Sequence, residues 1–165
     1  MEDQPVYKQD ADYARQNDEL ALYRDSNRIN GVCAQAIEQA IKDSNYALYR
    51  YDLGTAAQKV IAEYGAERMA WVLAATLQNL EHDGRFSRDN KNWGNGFPIP
   101  KERSIYYTVK THPAILDGFI DAARKVFAEQ EKHSVMAQLR EGKKTVIQST
   151  ETSQTVPKRD GGREV

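Results

Sequence analysis

Between Glu81 and Trp93 the chain sets His82, Asp83, Arg85, Ser87 and Asp89 close together. An imidazole, two carboxylates, a hydroxyl and a guanidinium are the groups of acid–base chemistry and of phosphate binding. The same residues also answer structural needs. Asp83-Gly84 is a turn dipeptide with Gly84 free to take positive φ. Ser87 followed by Asn90 reads as the cap of a short helix that brings Phe86 and Trp93 onto the core, and Arg85, Arg88 and Lys91 stay at the surface or pair with Asp83 and Asp89. Structure accounts for the whole set, so no catalytic residue is assigned. His82, His112 and His133 are scattered without second ligands at helical spacing, so no metal and no cofactor is expected. Phosphate-loop, nucleophile-elbow and Cys-x-x-Cys patterns do not occur. The one cysteine, Cys33, lies among Ile29, Val32, Ala36 and Ile37 and reads as a buried small hydrophobe.

Binding is the chemistry that remains. Tyr46, Tyr49 and Tyr51 fall within six residues, which suggests an extended segment or short strand with one aromatic face. Residues 82–110 hold Arg85, Arg88, Lys91, Lys101, Arg103 and Lys110 against three acids, whereas residues 1–27 hold seven acids against three bases. Tyrosine and arginine dominate interface energetics, so Tyr49, Tyr51, Arg85, Arg88, Lys91 and Lys101 are the candidate partner-contact residues. The acidic N-terminal helix is the alternative contact surface. A net charge of −1 is not that of a protein built mainly for nonspecific DNA binding.

The elements that position these residues are mainly helical. Residues 1–9 form an extended or frayed lead-in. A first helix spans about Asp10 to Leu22, capped by Asp10 or Asp12, and the run from Arg24 to Gly31 either bends it or starts a new helix near Ser26. Ile29, Cys33, Ile37 and Ile41 make an i, i+4 row that faces the core. Asp52 or Thr55 caps a helix that Gly65 stops, and a tight corner leads into the next. That next helix, with Met69, Val72, Leu73, Thr76, Leu77 and Leu80 on one face, carries the central apolar stripe and is too apolar to enter a DNA groove. Residues 105–109 have strand composition, so a small sheet with the tyrosine segment is expected. The last helix, capped by Thr111, buries Ile115, Leu116, Phe119, Ile120, Ala123, Val126 and Phe127 and ends between Lys132 and Leu139. Val146-Ile147 is the one apolar spot beyond it. The expectation is a mainly α bundle of four to six helices over 10–133, with a short β element at most and a flexible, disordered C-terminal tail over 134–165. No segment has the length and hydropathy of a membrane span, and the acidic Met1-Glu2-Asp3-Gln4 start lacks the regions of a secretory signal. A cytoplasmic protein is expected.

The chain also resembles a domain of unknown function carried on conjugative and phage-like elements of Firmicutes, alone or attached to anti-restriction and helicase-type proteins. The likeness covers roughly residues 7–130. It rests on Tyr13-Ala14-Arg15, Glu19-Leu20, Leu22-Tyr23-Arg24, Ser26, Asn30, Cys33, Ala36-Ile37, Tyr64-Gly65, Arg68, Val72-Leu73-Ala74, Thr76, Asp83-Gly84-Arg85-Phe86-Ser87, Asn90, Trp93 and His112-Pro113. The family supplies no activity to carry over. The resemblance implies a mobile-element protein that binds and inhibits a host defence nuclease or its guide-bound complex, of anti-restriction or anti-CRISPR type and not an enzyme. The alternative is a nucleic-acid-binding accessory protein of element transfer, using the basic loop.

Overall fold

Asp10 takes the first cap, its carboxylate accepting from Tyr13 N at 2.8 Å to open helix α1 (Ala11–Gln16). A computed structural model describes residues 5–104 and 107–152, the side chains of 103, 104 and 133–152 aside. The first helix ends sooner than its pattern predicts. Asp18 adopts φ 61, a left-handed value that a carboxylate side chain tolerates, and Glu19 N bonds back to Ala14 O at 2.7 Å. Helix α2 (Leu20–Asp43) then runs unbroken through 24 residues, so the break lies at 17–19 and not between Arg24 and Gly31. Ser26 and Asn30 do not compete for their own backbone because both are buried and bonded to Arg68, while Asp25 pairs with Arg28 one turn on. The lead-in is pinned to the same helix. Val6 is buried, Tyr7 N donates to Ser26 Oγ at 3.0 Å, and the Tyr7 hydroxyl donates to Glu19 at 2.8 Å.

The tyrosine segment turns back on itself. Strands β1 (Asn45–Ala47) and β2 (Arg50–Tyr51) pair antiparallel around Leu48-Tyr49, with Asn45 opposite Tyr51 and Ala47 opposite Arg50. Two residues of β1 thus span one of β2, and Tyr46 is the extra residue of a bulge. Asp52 N to Ser44 O at 3.0 Å closes the base, and the Asp52 carboxylate caps helix α3 (Leu53–Tyr64) through Thr55 N and Thr55 Oγ1.

One residue separates α3 from helix α4 (Ala66–Asn79). Gly65 takes φ 89 and ψ 153, a conformation closed to residues with a Cβ, so the corner needs glycine. Every residue of α4 from Arg68 to Leu77 is buried. The expected one-sided stripe is corrected to a helix enclosed all round, because α2, α3, α5 and α6 pack on it from several sides.

Helix α5 (Arg88–Asn95) starts at Ser87, whose hydroxyl accepts from Asn90 N at 3.2 Å, and the four-residue α6 (Lys101–Ser104) follows. Gly94 lets α5 close on α4: a Cβ there would stand 2.9 Å from Leu77 Cδ1 and 3.0 Å from Leu77 Cβ. Residues 107–110 form no strand, and 105 and 106 lie outside the described residues. Side chains of other elements hold this segment instead. Thr76 Oγ1 accepts from Val109 N at 3.1 Å, Glu38 accepts from Lys110 N at 2.7 Å, and Trp71 Nε1 donates to the Tyr107 hydroxyl at 2.7 Å.

Helix α7 (Pro113–Thr152) is capped by His112 and not by Thr111, the His112 Nδ1 accepting from Ala114 N at 3.1 Å. Leu116, Phe119, Ile120, Ala123 and Val126 are buried, as their spacing predicts, whereas Ile115 and Phe127, expected on the same face, are half-buried. The chain divides into two units at Val126/Phe127, and the second continues α7 in helical backbone to Thr152. That end lies beyond the one the pattern predicts. Of the tail expected over 134–165, residues 134–152 are therefore helical in backbone, the Val146 and Ile147 side chains are not described, and 153–165 lie outside the described residues. The chain is mainly α, and among the described residues no helix is long and apolar enough to cross a membrane.

Candidate binding surfaces

The loop from Leu80 to Trp93 is built as a clamp. Asp83 accepts from Arg85 N at 3.0 Å and from the Arg85 guanidinium at 3.0 and 2.8 Å, and these hydrogen bonds hold its carboxyl down at about 2. Gly84 does not use the positive φ that the dipeptide permits; the turn is set by Asp83. Phe86 is buried. Asn90, fully enclosed, donates its Nδ2 to Asp117 Oδ1 at 2.8 Å and to Asp117 O at 3.2 Å, while its Oδ1 accepts from Arg124 at 2.8 Å. Asp117 Oδ1 also accepts from Ser87 N at 3.0 Å. Arg124 reaches Asp89 at 3.1 Å and lies 5.7 Å from the Trp93 ring centre. Asp83, Ser87 and Asp89 are thus engaged in holding the loop to α7 or to itself. Among the described residues no group of three or more His, Cys, Asp or Glu is placed to hold a metal.

The surface lies elsewhere, and first on the hairpin. Tyr46, Leu48 and Tyr49 are 70%, 80% and 83% exposed, the largest exposures among the big apolar side chains of the described residues. Tyr49 sits at φ 59 in the second turn position, where Gly or Asn is favoured. Tyr51 is half-buried on β2. A single aromatic face would need one strand; the turn at Leu48-Tyr49 instead spreads the tyrosines over both strands and the tip. Tyr46 and Leu48 were not among the sequence candidates. Leu48 in particular carried no signal, because an apolar residue between tyrosines reads as half-buried.

A second surface groups some of the cations. Arg88 and Lys91 line a cleft of about 390 Å3 together with Asn92 and Asn95, over Leu77 and Phe86. Arg85 does not line it, being held by Asp83. Lys101 stands apart on α6, beside Glu102, which accepts from Ala11 N. The six candidates therefore divide among a hairpin, an ion pair, a cleft and a short helix. A larger groove of about 970 Å3 runs past Val6, Ile29, Val32, Glu63 and Arg68, but its Asp25 is paired to Arg28 and its Glu67 to Lys8.

Comparison with family models finds a match over residues 6–128, to a family described as protein of unknown function, DUF3849. The chain belongs to DUF3849. No curated protein matches it, and no solved structure does. The DUF3849 match covers nearly the span of the likeness described above, and many of the residues quoted there have structural tasks in this chain. Ser26, Asn30 and Arg68 form one buried network, Thr76 ties 107–110 to α4, Ser87 and Asn90 clamp α5 to α7, and His112-Pro113 starts α7. Tyr49 and Leu48 are outside that set.

Cys33 belongs to the core of this DUF3849 chain. Burial pushes its thiol up to about 12, against a lowering by the Arg68 charge and with a further rise from Glu63. At pH 8 the folded protein is expected to alkylate at Cys33 at least about 100-fold more slowly than the unfolded chain, because the thiolate is the nucleophile. Mass-spectrometric labelling across a urea series checks this; equal rates in water and in denaturant would refute the burial.

Proposed function

We propose that this chain is a non-enzymatic binding protein that docks on a protein partner through the β1–β2 hairpin, and that the partner is a host defence nuclease or its guide-bound complex. The observation that carries the docking surface is the hairpin tip, where Tyr46, Leu48 and Tyr49 are each at least 70% exposed. Leaving three large apolar side chains in water forgoes their burial, and a left-handed tyrosine adds backbone strain where glycine would have none. A bulge and a turn that together hold these side chains outward make sense if another surface covers them. Tyrosine loses little conformational entropy on burial at an interface and carries a large contact area. The class of partner comes from the resemblance to mobile-element proteins, whose small members without catalytic signatures often act by binding and blocking defence nucleases.

Tyr49→Gly separates binding from folding. Glycine relieves the positive φ, so thermal stability is expected to hold or rise, by up to about 1 kcal/mol. Loss of an anchor aromatic is expected to weaken partner capture by about 30-fold, the equivalent of about 2 kcal/mol. The assay is capture of candidate restriction and CRISPR effectors by the tagged protein, with and without nuclease treatment, beside a melting curve. Equal capture by Tyr49→Gly and by a Tyr46→Ser, Leu48→Ser double variant would remove the hairpin from the interface. Capture that disappears with nuclease treatment would mean that nucleic acid is the partner.

A further inference from the structure

On α5, Arg88, Lys91, Asn92 and Asn95 follow one another at i, i+3, i+4 and i+7, the spacing that places side chains on one helix face. All four line the same cleft, and each ends in a hydrogen-bond donor: a guanidinium, an ammonium and two amides. The rest of the lining is Leu77 of α4 with Glu81, Gly84 and Phe86 of the loop that follows it. The neighbouring acids make their ion pairs with other cations. Asp89 pairs with Arg124 and Asp83 with Arg85, although the Lys91 charge also acts on the Asp83 carboxylate, and neither Arg88 nor Lys91 forms a salt bridge among the described residues. Among the described lining residues Glu81 is the acid, set against the two cations Arg88 and Lys91.

The geometry points to a phosphate-binding site that takes one nucleotide unit. A phosphate monoester offers more acceptor oxygens and more charge than a carboxylate, a phosphodiester adds ester oxygens at the same single charge, and both match a face where two cations and two neutral donors converge. About 390 Å3 lies at the small end of ligand pockets, enough for a phosphate with its sugar, and Phe86 and Leu77, themselves nearly buried, are the apolar residues of the lining. The site shares no residue with the hairpin, so the two surfaces are tested by different substitutions. The phosphate can come from a free nucleotide or from the backbone of a single strand, including a guide carried by a partner.

The test is titration of the full chain with inorganic phosphate, a nucleoside monophosphate and a short single-stranded oligonucleotide, read by calorimetry and by amide NMR shifts. Arg88→Gln with Lys91→Gln is expected to lower affinity at least tenfold, and for the oligonucleotide to flatten the dependence of log affinity on log salt by up to about two charges. Lys101→Gln is expected to bind like the wild type, since Lys101 on α6 does not line the cleft. A melting curve verifies that each variant is folded, and Asn95→Leu, which keeps both cations, is expected to weaken binding by removing an amide donor. Binding of the monophosphate identifies a free nucleotide as source, and binding of the oligonucleotide alone identifies a strand. Absence of shifts at α5 with all three probes, or equal affinity in the Arg88/Lys91 variant, would overturn the assignment.

Discussion

Asn90→Asp is expected to cost about 4 kcal/mol of folding stability at neutral pH, although it changes one atom for another of nearly the same size. The Asn90 Nδ2 donates to Asp117 Oδ1 at 2.8 Å and to Asp117 O at 3.2 Å inside a fully enclosed site. An oxygen in that place removes both donations and sets one carboxylate against another. The retained contact from Arg124, 2.8 Å from the present Oδ1, offsets only part of this. Like charges at that distance raise the folded-state pKa of the pair above its unfolded value. The folded variant therefore takes up a proton before the unfolded chain does, and its deficit shrinks as pH falls through the raised value. Urea midpoints of variant and wild type at pH 7 and pH 5 measure it. A deficit below 1 kcal/mol at pH 7, or one that grows on acidification, would contradict the clamp between α5 and α7.

Arg68→Ala is expected to cost about 3–4 kcal/mol. Arg68 is 3% exposed, and it donates to Ser26 O at 3.2 Å, to Ser26 Oγ at 3.4 Å, to Pro5 O at 3.4 Å and to Asn30 Oδ1. Burial lowers its pKa, and the acids Glu67 and Asp25, with Cys33 and Tyr107, act in the opposite direction. Truncation leaves buried acceptors without donors and a cavity where the side chain lay. Arg68→Met fills much of the volume but makes no hydrogen bonds, so it is expected to recover part of the loss and no more. Residues 5–9 should loosen in both variants, because Pro5 O loses its donor and Ser26 Oγ, the acceptor of Tyr7 N, loses its neighbour. Hydrogen exchange at the Tyr7 amide reads this directly. Unchanged exchange together with an unchanged urea midpoint would show that Arg68 is not the hub of that network.

The functional surfaces place different demands on the chain from these two networks. Asn90 and Arg68 hold elements together through buried hydrogen bonds, whereas Tyr46, Leu48 and Tyr49 face water on a hairpin that the core does not need them to stabilise. Substitutions in the first group are expected to act on folding, and those at the hairpin and on the Arg88/Lys91 face on binding. That division lets the two proposed surfaces be tested in folded protein.

Local chemistry was legible without a structure. Asp10, Asp52 and Ser87 cap helices because a short polar side chain can reach a free amide two or three residues on, and Gly65 makes the α3–α4 corner because only glycine takes its φ of 89. The i, i+3, i+4 spacing of Leu116, Phe119, Ile120 and Ala123 likewise predicts the buried face of α7. Each of these depends on neighbours within a turn or two. Tertiary structure decided the rest. Helix α2 continues through Ser26 and Asn30 because their polar groups meet Arg68, 42 and 38 residues away. Residues 107–110 form no strand because side chains of α4 and α2 take up backbone amides, Thr76 that of Val109 and Glu38 that of Lys110. The tyrosines came to a hairpin tip, and Arg88 and Lys91 to a cleft, through a turn and a helix packing that no spacing announces. Periodicity records which face of an element is apolar; which polar groups find partners across the fold depends on contacts between residues far apart in the chain.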